Sequence, residues 1–307
     1  MRECRPLKIG LYIPHGDGPA NGGNARWRDV LRLARHAEAA GFDSLWLADH
    51  LLFRFPNQPA QGRWECWTLL AALAAATERI ALGTLVSCLG FRNPALLAKI
   101  AATTDEIAGG RLILGLGAGW HEPEYAAFGY PFDHRVGRFA DGLAIVHGLL
   151  RAGRADLDGR YLTAAGAELR PPGPRLGKIP ILVGSNGERM LGLTARYADL
   201  WNANWTRSPD EIPPLRRTVD AACAAANRDP ATLGRTASVL IDLPGRVGRG
   251  FGDDYAHPAP LSPAAIAAMV RGYADEGISH VMLWLDPSSP AGIDAFKPAL
   301  ALLDRDG

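Results

Sequence analysis

The chain has 307 residues, 48% of them hydrophobic and 21% charged, enough for one large buried core or two modest ones. Its 33 basic and 32 acidic residues are interspersed and leave a formal net charge of +1, which argues against nucleic-acid or membrane partners and for small molecules. No signal-peptide core or membrane-length run is present, and Cys4, Cys66, Cys88 and Cys223 lack metal-ligand or redox spacing, so a cytoplasmic protein is expected.

Short Val, Ile and Leu runs alternate with amphipathic or Ala-rich stretches, the pattern of parallel strands joined by crossover helices. Residues 7–14 read as the first strand, followed by a helix over 27–40 with Trp27, Leu31, Ala34 and Ala37 on one side and Gly41 at its end. The second strand, 42–50, leads to a helix over 67–76, and the third, 80–87, to a helix that Asn93 caps and Pro94 opens. The fourth strand covers 112–119 and its helix about 134–150, with Val136, Phe139, Leu143, Val146 and Leu150 as the buried stripe. Residues 151–178, rich in Gly, Arg, Asp and Pro, read as an insertion that suits a small hairpin over one end. A fifth strand (179–185) with its helix (187–197) and a sixth (199–204) with its helix (210–226) follow. The seventh strand (236–243), a loop to 260, a helix over 263–276, an eighth strand (279–286) and a helix near 292–303 complete the pattern.

Eight strand and helix pairs predict an α/β chain folded as a single-domain (β/α)8 TIM barrel over 1–307, with a doubly wound open sheet as the alternative. In a barrel the chemistry gathers at the carboxyl ends of the strands. The residues there are His15, Asp49 with His50, Ser87 with Cys88, Gly119 with Trp120, Ser185 with Asn186, Asn202 with Asn204, and Trp284 with Asp286.

Gly184-Ser185-Asn186-Gly187-Glu188-Arg189 opens a helix after an apolar strand, which suits a phosphate on free backbone N–H groups or simply a tight connection. Gly115, Gly117 and Gly119 clear one face of the fourth strand for a planar ring or for a bulky interior neighbour, and Trp120 either walls that ring or fills core. The run differs from a dinucleotide fingerprint because Trp120 and Pro123 follow it. His50 is the natural proton donor or acceptor, with a structural histidine as the alternative. The other histidines form no ligand pair, against a zinc or iron hydrolase; His36 and His147 fall in helices. His121, Glu122 and Glu124 either face the pocket or lie in a solvated loop, the commoner outcome for such a run.

These residues carry a resemblance. Ala37-Glu38 with Gly41-Phe42-Asp43-Ser44-Leu45-Trp46 and Asp49-His50, Leu82-Gly83-Thr84-Leu85-Val86, Arg92-Asn93-Pro94, Gly109-Gly110-Arg111, the glycine strand with Trp120, Glu124 and Phe128-Gly129, and Pro180 to Gly184 resemble the bacterial luciferase-like superfamily of flavin and deazaflavin oxidoreductases. Within it, the chain is most similar to coenzyme F420-dependent oxidoreductases, strongly so over about residues 7–205. The resemblance implies a barrel with an insertion, a non-prolyl cis peptide at Leu85-Val86, and a coenzyme held by Asp49, Leu85, Val86, Cys88, Ala118, Gly119, Gly184, Ser185, Gly187 and Glu188. It puts His50 at the proton donor and Trp120 on the substrate face, where sugar-phosphate-oxidising relatives carry a glutamate, so that activity is not implied. Hydride transfer with F420 is the expectation, FMN-dependent monooxygenation the alternative and a non-catalytic flavin-binding barrel the second alternative; the family often forms homodimers.

Overall fold

The computed structural model describes residues 5–17, 25–243 and 262–305; Cys4, His257 and the loop expected before residue 260 lie outside the described residues. In chain order the elements begin with β1 (Lys8–Tyr12), α1 (Trp27–Ala40), β2 (Ser44–Leu47), the antiparallel ribbon β3 (Leu52–Phe53) and β4 (Gln61–Gly62), and α2 (Cys66–Ala76). Next come β5 (Ala81–Thr84), β6 (Ser87–Cys88), α3 (Pro94–Ile107), β7 (Leu112–Gly117), α4 (Glu122–Phe128) and α5 (Arg135–Ala152). The hairpin β8 (Arg154–Asp158) and β9 (Thr163–Glu168), β10 (Ile181–Gly184), α6 (Glu188–Tyr197), β11 (Leu200–Thr206) and α7 (Ile212–Ala225) follow. The described chain ends with β12 (Gly234–Asp242), α8 (Pro263–Asp275), β13 (His280–Asp286) and α9 (Pro290–Leu303).

Eight of these strands, in the order β1, β2, β5, β7, β10, β11, β12 and β13, pair in parallel, and β13 pairs back onto β1 to close a barrel. The open-sheet alternative therefore falls. Each barrel strand is covered on both faces, which is why Ser44 to Leu47 is buried at every position and Leu45 to Leu47 reads as an apolar run. Local chemistry sets the helix starts: the Asn93 side chain accepts from the N–H groups of Ala95 and Leu96 at 2.9 and 3.1 Å, with Pro94 in the first turn. The inward stripe of α1 differs from the expected one. Val30, Leu33, Ala34 and Ala37 are buried, whereas Trp27 is 40% exposed, because the helix faces the barrel one position round from the predicted side.

Within 151–178, the β8–β9 hairpin is followed by Arg175, whose guanidinium binds the fully buried Asp105 carboxylate and the Leu112 carbonyl at 2.7 Å. That contact ties the insertion to the amino-terminal end of β7.

The bottom of the barrel holds a buried polar cluster: Trp46 Nε1 donates to Ser44 Oγ at 2.7 Å, and Ser44 Oγ lies 2.7 Å from His280 Nε2. Burial, with a smaller push from Lys8, lowers His280 from 6.5 to about 3. The neutral ring thus contributes stability that is fully present above about pH 6.5 and is lost as pH falls toward 3. His280→Gln should flatten the acid side of the stability profile by up to about 1.4 kcal/mol per pH unit. Urea unfolding at several pH values in that window checks this; an unchanged slope would rule His280 out as its source.

Candidate active site

At the carboxyl ends of the barrel strands opens a cavity of about 1000 Å³. Of the residues singled out from sequence, Asp49, His50, Leu85, Val86, Cys88, Ala118, Gly119, Trp120, Gly184 and Ser185 line it together. Gly187 and Glu188 do not; they are exposed at the start of α6, beyond Asn186.

One side of the cavity is a backbone bulge. β5 stops at Thr84, the Leu85–Val86 peptide is cis, and pairing to β7 resumes at Ser87. The glycines of β7 make this possible, because a Cβ on Gly115 would sit 1.9 Å from the Thr84 carbonyl oxygen and one on Gly117 would sit 2.5 Å from Val86 Cγ2. The vacant face of β7 is thus filled by the neighbouring strand itself, and no ring needs that room. Gly119, at φ +77°, is likewise closed in by protein, since a Cβ there would meet the Tyr125 hydroxyl at 2.0 Å. The glycines let the bulge in, and the bulge turns Leu85 and Val86 to the cavity.

Asp49 locks the far end of that bulge. Its carboxylate accepts from Ser87 Oγ at 2.9 Å, from the Cys88 N–H at 3.0 Å and from both terminal nitrogens of Arg92. With its side chain fully buried, its contacts are to the protein, so it shapes the bed. Cys88 Sγ lies 2.8 Å from Tyr125 Oη, whose hydroxyl donates to the Ala118 carbonyl at 3.0 Å. Burial pushes the Cys88 thiol up to about 12, so it remains protonated and unreactive at neutral pH.

His50, just past β2, has Nδ1 2.8 Å from Glu124 Oε1, while Glu124 Oε2 accepts from the backbone N–H groups of Leu51 and Leu52 at 3.0 and 3.4 Å. Glu124 is only 1% exposed. The solvated loop expected over 121–124 is therefore wrong: His121 precedes the first turn of α4, Pro123 sits in that turn, and the helix carries Glu124 beneath His50. His121 is buried too, its Nε2 accepts the Arg54 N–H at 3.0 Å, and burial lowers its affinity for a proton. A carboxylate acceptor on Nδ1 fixes the His50 tautomer and leaves Nε2, which bonds no described residue, as the nitrogen free to exchange a proton. His50 also packs on Phe53 at 4.3 Å and Trp120 at 5.7 Å between ring centroids. Trp120 is 55% exposed, so it walls the cavity mouth rather than filling core.

At the opposite end, Gly184, Ser185 and Asn186 lead into α6, whose first turn has no side-chain cap. Ser185 Oγ lies 3.2 Å from Thr194 Oγ1, and the Ser185 carbonyl accepts from Trp201 Nε1 at 2.8 Å. The turn offers backbone N–H groups more than a hydroxyl.

Sequence reasoning did not select Tyr12, Phe53, Phe55, Trp205 and Leu240, which complete the cavity with Trp284. Trp284 stood among the strand ends; the others fall inside a strand, in a loop or on a bulge, where no periodicity marks them. His15, also at a strand end, is buried away from the cavity, with Nδ1 and Nε2 each 3.0 Å from a backbone carbonyl. Asn202 faces the barrel interior, bonded to Thr236 and Ser238 at 2.9 Å.

The described residues form a closed β/α barrel with a largely apolar cavity at the carboxyl ends of its strands, the place where barrel enzymes carry their chemistry. Residues 7–241 match the luciferase-like monooxygenase family, and the chain belongs to it. It is 31% identical over 266 residues to a phthiodiolone/phenolphthiodiolone dimycocerosates ketoreductase of Mycobacterium tuberculosis, covering 80% of this chain and 68% of that protein. It is also 31% identical over 269 residues to a 5,10-methylenetetrahydromethanopterin reductase of Methanolobus tindarius, covering 86% and 74%. In fold it is similar to an F420-dependent secondary alcohol dehydrogenase solved with an F420-acetone adduct, with a TM-score of 0.79 at 20% identity over 97% of this chain and 99% of that one.

Proposed function

We propose that the cavity binds the deazaflavin coenzyme F420 and that the protein moves a hydride between it and a small organic carbonyl compound or alcohol. One observation carries this reading: an imidazole oriented by a buried carboxylate stands beside a bed formed by a cis-peptide bulge. The residues present fit such a coenzyme. The cavity has room for a three-ring system and a small substrate, Val86, Ala118 and Gly119 offer it an apolar bed, and the uncapped start of α6 beside Ser185 and Asn186 offers donors to a phosphate. The ketoreductase and reductase relatives support the same class of chemistry.

When bound, the deazaflavin supplies a two-electron hydride carrier that reacts little with oxygen, whereas FMN would bring oxygen-dependent chemistry. His50 handles the matching proton. As imidazolium its Nε2 donates to the carbonyl oxygen being reduced, and as the neutral ring it accepts from the hydroxyl being oxidised. Phe53 and Trp120, packed on that ring, limit its contact with bulk water. Glu124 acts through His50 as a positioning residue. Glu124→Gln turns an amide donor toward groups that are themselves donors, so kcat should fall about 100-fold with KM and F420 affinity nearly unchanged. An equal fall in affinity would make Glu124 a structural residue only.

Mixing the protein with reduced F420 and a simple ketone under argon should give alcohol and oxidised F420 in equal amounts. Product formation that requires FMN and dioxygen would overturn the reading.

A further inference from the structure

We infer that the substrate of this site is an uncharged ketone or secondary alcohol with an aromatic body, held by Tyr12, Trp205 and Trp284; this rests on the hydride-transfer reading above. In the barrel order, the bed lies on the adjacent strands β5, β7 and β10, so the strands across from it are β12, β13 and β1. Those strands present Leu240, Trp284 and Tyr12, and Trp205 joins them from the end of neighbouring β11. The wall is aromatic and continuous: Tyr12 to Trp284 is 5.0 Å between centroids, Trp205 to Trp284 5.3 Å and Tyr12 to Trp205 5.9 Å, the last edge-to-face.

Trp205 is held there at a cost. Its φ is +46°, a left-handed backbone that bulky residues rarely adopt, at a register shift between Ala203 and Thr206. A strained residue lining a cavity is the kind of position that function retains.

The charges of the described lining residues are already committed. Asp49 is bound to Ser87, Cys88 and Arg92, and Glu124 to His50, Leu51 and Leu52. Arg135 donates to the Gly119 carbonyl at 3.0 Å and lies 4.0 Å over the Phe132 ring. Apart from His50, whose Nε2 is committed to the reacting oxygen, the described lining residues turn no uncommitted cation to a substrate, so an anionic one would leave water for a wall of rings, whereas an uncharged aryl ketone loses little.

The test pairs 4-methylacetophenone with 4-acetylbenzoate, which share the aryl ketone and carry at the para position a methyl group in one and a carboxylate in the other. F420 affinity is measured first, by fluorescence quenching, and failure there overturns the coenzyme reading itself. With F420 loaded, calorimetry should give at least about 100-fold tighter binding of 4-methylacetophenone, with kcat/KM in the same direction. Trp284→Leu should weaken that ketone about tenfold and leave F420 affinity within about twofold. Intact F420 binding together with equal or tighter 4-acetylbenzoate binding, or with no binding or turnover of either ketone, overturns the substrate class alone. So does an unchanged 4-methylacetophenone affinity in Trp284→Leu.

Discussion

His50→Ala is expected to lower kcat by about 10²- to 10⁴-fold with F420 affinity little changed. Among the described lining residues the imidazole is the group that a hydride transfer can best use for its proton: burial pushes both the Cys88 thiol and the Tyr12 hydroxyl up to about 12. His121, though nearby, has its Nε2 engaged with Arg54. Alanine removes the relay but leaves Glu124 bonded to Leu51 and Leu52, so the loop after β2 keeps its anchor. His50→Gln separates proton transfer from packing, because its amide can donate to Glu124 and cannot carry a proton through the cycle. Thermal melts of both variants close to that of the parent, with kcat lost in both, are the expected pattern. Full turnover in either would remove His50 from the chemistry.

Asp49→Ala is expected to be the most damaging change to the fold around the site, costing about 3 to 5 kcal/mol. It leaves the Cys88 N–H, the Ser87 hydroxyl and one side of the Arg92 guanidinium without their carboxylate, while Arg92 keeps its contact to Glu65. Burying such groups unpaired is the main source of the penalty. The bulge that Asp49 fastens carries Leu85 and Val86, so F420 affinity should fall together with stability. Asp49→Asn keeps one acceptor and should fall between the two. Chemical denaturation and F420 titration of both variants check this; an Asp49→Ala protein with parental stability and affinity would show that the bulge holds its shape without the carboxylate.

How far the sequence could be read follows from how local each signal is. The strand and helix alternation is plain because barrel strands are buried on both faces, as in the unbroken Ile181-Leu182-Val183 run, and Asn93-Pro94 marks a helix start through chemistry confined to a few residues. Asp49, His50 and Ser185 are found simply by standing at strand ends, and Gly184 by the glycine-rich turn it opens. Glu124 is not, because its meaning depends on a partner 74 residues away and on a short helix in a run that reads as polar loop. Gly115 and Gly117 announce a missing side chain, but a sequence does not say what fills the gap, and here it is the bulge of β5. Asp49 has the same limit. A buried carboxylate bound to Arg92 and one reaching for a ligand are the same letter.

We propose this cavity as the seat of F420. Trp120, Trp205 and Trp284 line it, so tryptophan emission reports occupancy directly. Titration of the purified protein with F420 should quench that emission saturably at micromolar concentration, with FMN markedly weaker. Saturable quenching by FMN with none by F420, or by neither, would contradict it.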